Sequence, residues 1–142
     1  MIITQLSVKL LNRPGELSKL SDILGDEGIN IKALTAAVHG ADAHIHMVPD
    51  DSAKALEVLK GRGYEVAESR VLAVEAPDHP GGLNAILRPL KDAKINVEFL
   101  YPVIGKYKKN AVLIVGGEPI EEAIKVLQKH YIKIMDKELY GL

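Results

Sequence analysis

The chain has no cysteine and no tryptophan, and only one phenylalanine among its 142 residues. Without cysteine there is no disulfide, no thiol nucleophile and no thiolate metal site. Neither sign of charge dominates: 18 Lys and Arg stand against 19 Asp and Glu, a net charge of −1. A strongly nucleic-acid-seeking surface is therefore not expected. No run of about 18 apolar residues exists to span a membrane. The opening MIITQLSVKL lacks the basic and apolar regions of a signal peptide. The expected location is the cytoplasm, and no membrane association is expected. No Ser/His/Asp order, Gly-Lys-Ser phosphate loop or carboxylate pair is readable, so no catalytic residue and no cofactor is expected.

What the chain does have is a repeat. NRPGEL at Asn12–Leu17 returns as DHPGGL at Asp78–Leu83, and GIN at Gly28–Asn30 returns as KIN at Lys94–Asn96. Both pairs share one offset of 66 residues, and along it Leu6/Leu72, Val8/Val74, Leu24/Leu90, Asp26/Asp92, Ile29/Ile95 and Leu34/Leu100 are identical. This exceeds the ~20–45 residues of a solenoid repeat, so it reads as a small domain used twice. The expected units are residues 1–69 and 70–142. A unit of roughly 70 residues buries only about 60% of its unfolded surface. The halves are expected to pack together or against another chain.

The pattern within each half is strand, helix, strand, strand, helix, strand. Leu6, Val8 and Leu10 alternate with polar residues as a half-buried strand does. After the Pro-Gly turn, Leu17, Leu20 and Leu24 form one helical stripe, and Gly25 and Gly28 signal its end. Strands are expected at Asn30–Val38, Ala43–Val48 and Tyr64–Glu68, with a second helix around Ala55–Leu59. The second half follows with strands at Val71–Ala76, Ile95–Val103 and Ala111–Val115, helices at Gly81–Ala93 and after Pro119, and a closing strand at Tyr131–Met135. Pro89 falls inside the Gly81–Ala93 helix and is expected to kink it or end it early. The fold class is α+β: two ferredoxin-like βαββαβ units, each an antiparallel four-stranded sheet with both helices on one face. Val112–Val115 is apolar throughout, so both faces of that strand are expected to be buried.

The Pro-Gly loops are the candidate ligand sites. Each sits where a strand ends and a helix begins, and backbone N–H groups at a helix start suit a carboxylate. Gly15 and Gly81 allow close approach. Asn12 and Asp78 place a polar group at the mouth, while Leu17 and Leu83 are expected to anchor the helices in the core. Asn30 and Asn96 put an amide at the start of the second strand. Together these groups suit a free amino acid. In the competing reading, Asn12 and Asp78 simply cap helices and the glycines serve turn geometry.

NRPGELSKLSDILGDEGINIKAL resembles the opening segment of an ACT domain, an amino-acid-sensing module of biosynthetic enzymes, and DHPGGLNAILRPLKDAKINVEFL resembles a second copy. The resemblance covers nearly the whole chain. It implies edge pairing of units, with a ligand between the Pro-Gly loop of one unit and the second strand of another. By position this assigns Asn12, Arg13, Pro14, Gly15, Glu16 and Leu17 to one loop, with Asn30 and Ile31 on the facing edge. Their counterparts are Asp78, His79, Pro80, Gly81, Gly82 and Leu83, with Asn96 and Val97. The serine-sensing branch of the family has a His two residues before the loop Asn. Leu10 and Ala76 stand there instead, so a serine site of that type is not expected; an apolar lining favours a hydrophobic side chain, branched-chain or aromatic. The resemblance further implies a non-catalytic regulator of amino-acid metabolism, a homodimer, and a partner enzyme as the object of regulation.

Two alternatives stay open. In one, the chain is a docking subunit of an enzyme or transcription factor with degenerate ligand sites. In the other, His44 and His46, alternating on one strand face with His39 nearby, make it a metal-responsive regulator. His130 is expected to complement a helix dipole, and Lys106–Lys109 to form an exposed basic hairpin. RNA-binding modules share the sheet topology but stack bases on strand aromatics, which this sequence lacks.

Overall fold

A computed structural model of the protein describes residues 1–105 and 107–142. Of the expected basic hairpin Lys106–Lys109, the first residue lies outside the described residues. The chain forms two compact units, Thr4–Ser69 and Met1–Ile3 with Arg70–Leu142.

In the Thr4–Ser69 unit, β1 (Ile3–Leu11) leads to α1 (Glu16–Asp26), β2 (Ile31–His39), β3 (Asp42–Pro49) and α2 (Ser52–Gly61). β3 pairs antiparallel with β1 and β2, with Leu6 opposite Met47, Val8 opposite Ile45 and Leu34 opposite Met47. The strand order is β2-β3-β1, and residues 65–69 of the next strand complete the sheet. The side chains alternate as the sequence does. Leu6, Val8, Leu10, Ile45 and Met47 bury one sheet face against Leu20, Ile23 and Leu24 of α1 and Ala55 and Leu59 of α2. Both helices therefore cover one face. Asp51 caps α2, its carboxylate accepting from the Lys54 N–H at 3.1 Å. Lys54 Nζ donates to the Glu27 carbonyl at the end of α1, 2.7 Å away, and so satisfies a helix C-terminus with a cation.

The strands expected at Tyr64–Glu68 and Val71–Ala76 are one strand, β4 (Glu65–Ala76). No Gly or Pro interrupts these residues, so nothing breaks the extended backbone. β4 is followed by α3 (Gly82–Asp92), β5 (Asn96–Pro102), β6 (Ala111–Glu118) and α4 (Ile120–Lys129). β6 pairs antiparallel with residues 72–76 and with β5. Leu72, Val74, Ala76 and Val115 pack with Ile86 and Leu90 of α3 and Ile120, Ala123 and Leu127 of α4. Ala73, Val112 and Ile114 are buried as well, so both faces of β6 are covered to a large extent, with Leu113 half-buried.

One expectation fails here, and another fails in part. The closing strand at Tyr131–Met135 is reduced to a single bridge between Val74 and Ile134. Tyr131 takes a left-handed φ of 57° and is 97% exposed. After Met135 the chain turns into a short 3₁₀ helix, Lys137–Gly141, that buries Leu139. Nor does Pro89 end α3 early: α1 and α3 both span 11 residues, at the same place in the repeat. Pro89 is itself buried, so packing of its ring offsets the backbone bond it removes.

Candidate functional site

The two Pro-Gly loops share the geometry of their glycine caps. Gly15 (φ 87°, ψ −11°) and Gly81 (φ 86°, ψ −7°) are the N-caps of α1 and α3, and neither helix has a side-chain cap. A left-handed residue at this point is strained for any side chain but costs glycine little. In the first loop Glu16 N–H reaches the Arg13 carbonyl at 3.5 Å and Lys19 N–H the Gly15 carbonyl at 2.9 Å. In the second, Gly82 N–H donates to His79 at 2.9 Å and Ala85 N–H to Gly81 at 3.2 Å. Among the described residues, nothing accepts from the N–H groups of Leu17 and Ser18, or from those of Leu83 and Asn84. Each loop thus presents two adjacent helix-start donors.

The helix-capping alternative for Asn12 and Asp78 is not what the structure shows. Asn12 instead ties its loop to the β2–β3 turn: its side-chain amide donates to the Gly40 carbonyl at 3.2 Å, and its N–H to Ala41 at 2.8 Å. Arg13 Nε sits 2.6 Å from Glu16 Oε1, an exposed pair worth little to stability. In the second loop His79 Nδ1 donates to the Pro80 carbonyl at 2.8 Å. The expectation that Leu17 and Leu83 anchor their helices is overturned: they are 40% and 46% exposed. Leu20, Leu24, Ile86 and Leu90, all buried, do the anchoring. Leu17 and Leu83 continue that stripe into the first turn, where the helix start reaches past the core, and each loop therefore shows an apolar residue beside its open donors.

The loops differ at one residue. A Cβ built on Gly82 would lie 1.8 Å from the Pro77 carbonyl oxygen, whereas Glu16 occupies the matching position of the first loop. The backbone after β4 folds over the start of α3 and leaves room only for glycine. Nothing in the alternation of the sequence carries this, although Pro77 marks where the strand must stop.

The second-strand residues sit at the far end of each unit. Asn30 N–H donates to Asp50 Oδ1 at 3.0 Å and Asp50 N–H to the Asn30 carbonyl at 2.9 Å. Asn96 lies opposite Glu118. Each second strand starts with a bulge at the same point of the repeat, between Ile31 and Ala33 and between Val97 and Phe99. A bulge re-aims side chains locally. Lys32 is buried and Glu98 exposed. The broken alternation of INIKAL is the sequence signal for it. Asn12 adjoins the β2–β3 turn while Ile31 pairs at the other end of β3, so the length of β2, about 26 Å at ~3.3 Å per residue, separates them. Within one unit the structure does not bring loop and strand start together.

Among the histidines, Ser7 Oγ lies 2.8 Å from His46 Nδ1, and the His39 and His44 rings meet edge-on at 5.4 Å. Burial, and then the neighbouring His44, hold the His46 pKa below its ordinary value. Among the described residues no group of three or more His, Asp or Glu is placed to hold a metal ion. His130 follows α4 and donates from Nδ1 to the Val126 carbonyl at 2.9 Å, satisfying a terminal helix acceptor. No helix is long and apolar enough to cross a membrane among the described residues.

Two ferredoxin-like units with matching glycine-capped loops define a small α+β module built as a pair. The chain belongs to the ACT domain pair family, which it matches over residues 1–142. This is a regulatory family. A crystal structure of a protein from Bacteroides thetaiotaomicron is similar over 100% of this chain and 98% of that one, with 26% identity and a TM-score of 0.92. The ligand-free regulatory subunit of aspartate kinase from Thermus thermophilus shares the fold at 16% identity and a TM-score of 0.66, over 92% and 95% of the two chains. That from Thermus flavus does so at 16% identity and a TM-score of 0.57, over 92% and 96%. No curated protein matches the chain.

Proposed function

We propose that the protein is a non-catalytic regulator that binds a free amino acid and controls amino-acid metabolism. The observation that carries this reading is the pair of superposable loops, each with a left-handed glycine cap and two adjacent unpaired N–H donors. That arrangement holds a carboxylate. Leu17 and Leu83, apolar and exposed beside these donors, suit a hydrophobic side chain on the same ligand. Loop and strand start are far apart within a unit. The amide and bulged edge at Asn30–Ile31 or Asn96–Val97 are then supplied by another unit, which in this reading is that of a partner copy in a homodimer. The same fold carries the regulatory subunit of aspartate kinase, and a partner enzyme is the natural object of regulation here.

The difference between the loops favours a second reading for the second unit. With Pro77 lying over Gly82, the Asp78–Leu83 loop is less accommodating, and this unit serves as a docking surface with a degenerate site. A thermal-shift panel of the twenty amino acids distinguishes the readings. One side-chain class should stabilise the protein by about 2.7 kcal/mol at a hundred-fold excess over its Kd. Asn12→Ala should remove this shift. A flat panel on folded protein would refute the sensor reading and leave the docking subunit.

A further inference from the structure

The outer side of α3 lines a shallow cavity of about 450 Å³ that begins at the second loop's Gly81 and runs along the helix away from it. Asn84, Ala85, Arg88, Pro89 and Asp92 border it from α3, and His130 borders it from the end of α4. All belong to the Arg70–Leu142 unit. We infer that this groove is a separate site for a small ampholyte, a molecule carrying a carboxylate and an ammonium group.

The chemistry is complementary in both signs. Arg88 and Asp92 stand four residues apart on one helix face, where opposite charges ordinarily meet. Yet among the described residues neither has an ion pair or hydrogen bond, and neither does the Asn84 side chain. A guanidinium and an amide are thus available for a carboxylate, and Asp92 for an ammonium. Pro89 adds a second acceptor. It has no N–H, so the Ala85 carbonyl, one turn earlier in the groove, lacks its ordinary helical donor. His130 Nδ1 is engaged with Val126, which leaves Nε2 as the ring's remaining polar atom.

The repeat supplies an internal control. On α1 the matching residues are Ser18, Lys19, Asp22, Ile23 and Asp26. There the two turn-spaced charges are both acidic, a long lysine replaces Ala85, and Ile23 retains the N–H that Pro89 lacks. The features that make the groove amphoteric are confined to the copy whose Pro-Gly loop is closed over Gly82. The inference touches the loop reading at Gly81 and Asn84 but rests on the Arg88, Asp92 and His130 side chains, which that reading does not use, and it does not need a partner chain.

The test is a residue-resolved NMR titration of the whole chain with glycine and the other amino acids, with acetate and methylammonium as single-charge controls. Saturable shifts are expected at the Asn84 side-chain amide, the Arg88 Nε–H and the His130 ring, with either control binding at least ten-fold more weakly. Arg88→Ala and Asp92→Asn, both at exposed positions, should each lower affinity ten-fold or more, while Asn12→Ala leaves it unchanged. Pro89→Ala, which returns a donor to the Ala85 carbonyl, should weaken binding several-fold. Absence of saturable groove shifts would overturn the inference. So would shifts that survive Arg88→Ala but vanish with Asn12→Ala, because the groove would then only report the loop. Acetate binding as tightly as glycine and indifferent to Asp92→Asn reduces the site to an anion patch. Unchanged affinity in Pro89→Ala removes the carbonyl from it. Shifts confined to residues 12–17 would leave the loop reading intact and this one refuted.

Discussion

Gly82 and Glu16 hold the same position of the repeat, and they show how one residue can separate two copies of a loop. A side chain at 82 meets the Pro77 carbonyl at 1.8 Å. That contact is backbone, so it yields only if the loop moves. Gly82→Ala is expected to destabilise the protein by about 1–3 kcal/mol, the usual cost of forcing atoms into filled space. Glu16→Ala, on an exposed ion pair, is expected to change stability by no more than about 0.5 kcal/mol. Denaturant melts of the two variants check the contrast. His46 carries the second prediction at this scale. Its pKa is held below the ordinary value of 6.5 by burial and by His44. The unfolded chain therefore binds the proton first, and stability falls as pH drops through 6.5 until the folded-state pKa is passed. His46→Gln should flatten the dependence of Tm on pH between about 5 and 7. An unchanged slope would show that His46 does not contribute it.

At the scale of elements, local pattern and tertiary override can be told apart. The helices after each Pro-Gly turn were legible because leucines recur at helical spacing and the glycine cap imposes itself from within the segment. Asn30–Val38 and Ala43–Val48 were legible as strands for the same local reason. What pattern did not carry was the tail. YIKIM at Tyr131–Met135 alternates like a strand, but only Ile134 bridges to Val74, and the chain then commits to burying Leu139 in a short 3₁₀ helix. Leu139 is fully buried, so Leu139→Ala should cost about 2–5 kcal/mol. A cost below about 1 kcal/mol in a chemical melt would mean that the tail does not contribute to the core. Pro89 is the opposite case. A strong local rule, that proline ends helices, yields to burial of the ring and to a helix whose length matches its partner copy.

For the whole molecule, the repeat in the sequence and the compact units do not share their first boundary. Met1–Ile3 belongs with Arg70–Leu142, where the N-terminal amine meets Asp136 at 3.1 Å. That ion pair is exposed and weak. Ile3 is buried and carries the energy. Ile3→Ala is expected to cost about 2–5 kcal/mol, with amide hydrogen exchange rising in residues 70–142 more than in Thr4–Ser69. Equal loss of protection in both units would contradict that assignment. The sequence by itself determined the duplication, the βαββαβ order, the helix-covered sheet face and the place of the Pro-Gly loops. Each of these follows from periodicity, turn chemistry or an aligned repeat, which are local. Only the tertiary structure decided that Leu17 and Leu83 face outward and that Asn12 ties a hairpin rather than capping a helix. The same holds for Pro77 covering Gly82, and for Arg88 and Asp92 standing unpaired beside a donor-less turn. These depend on which backbone lies against which, a relation between residues distant in sequence that no local pattern encodes.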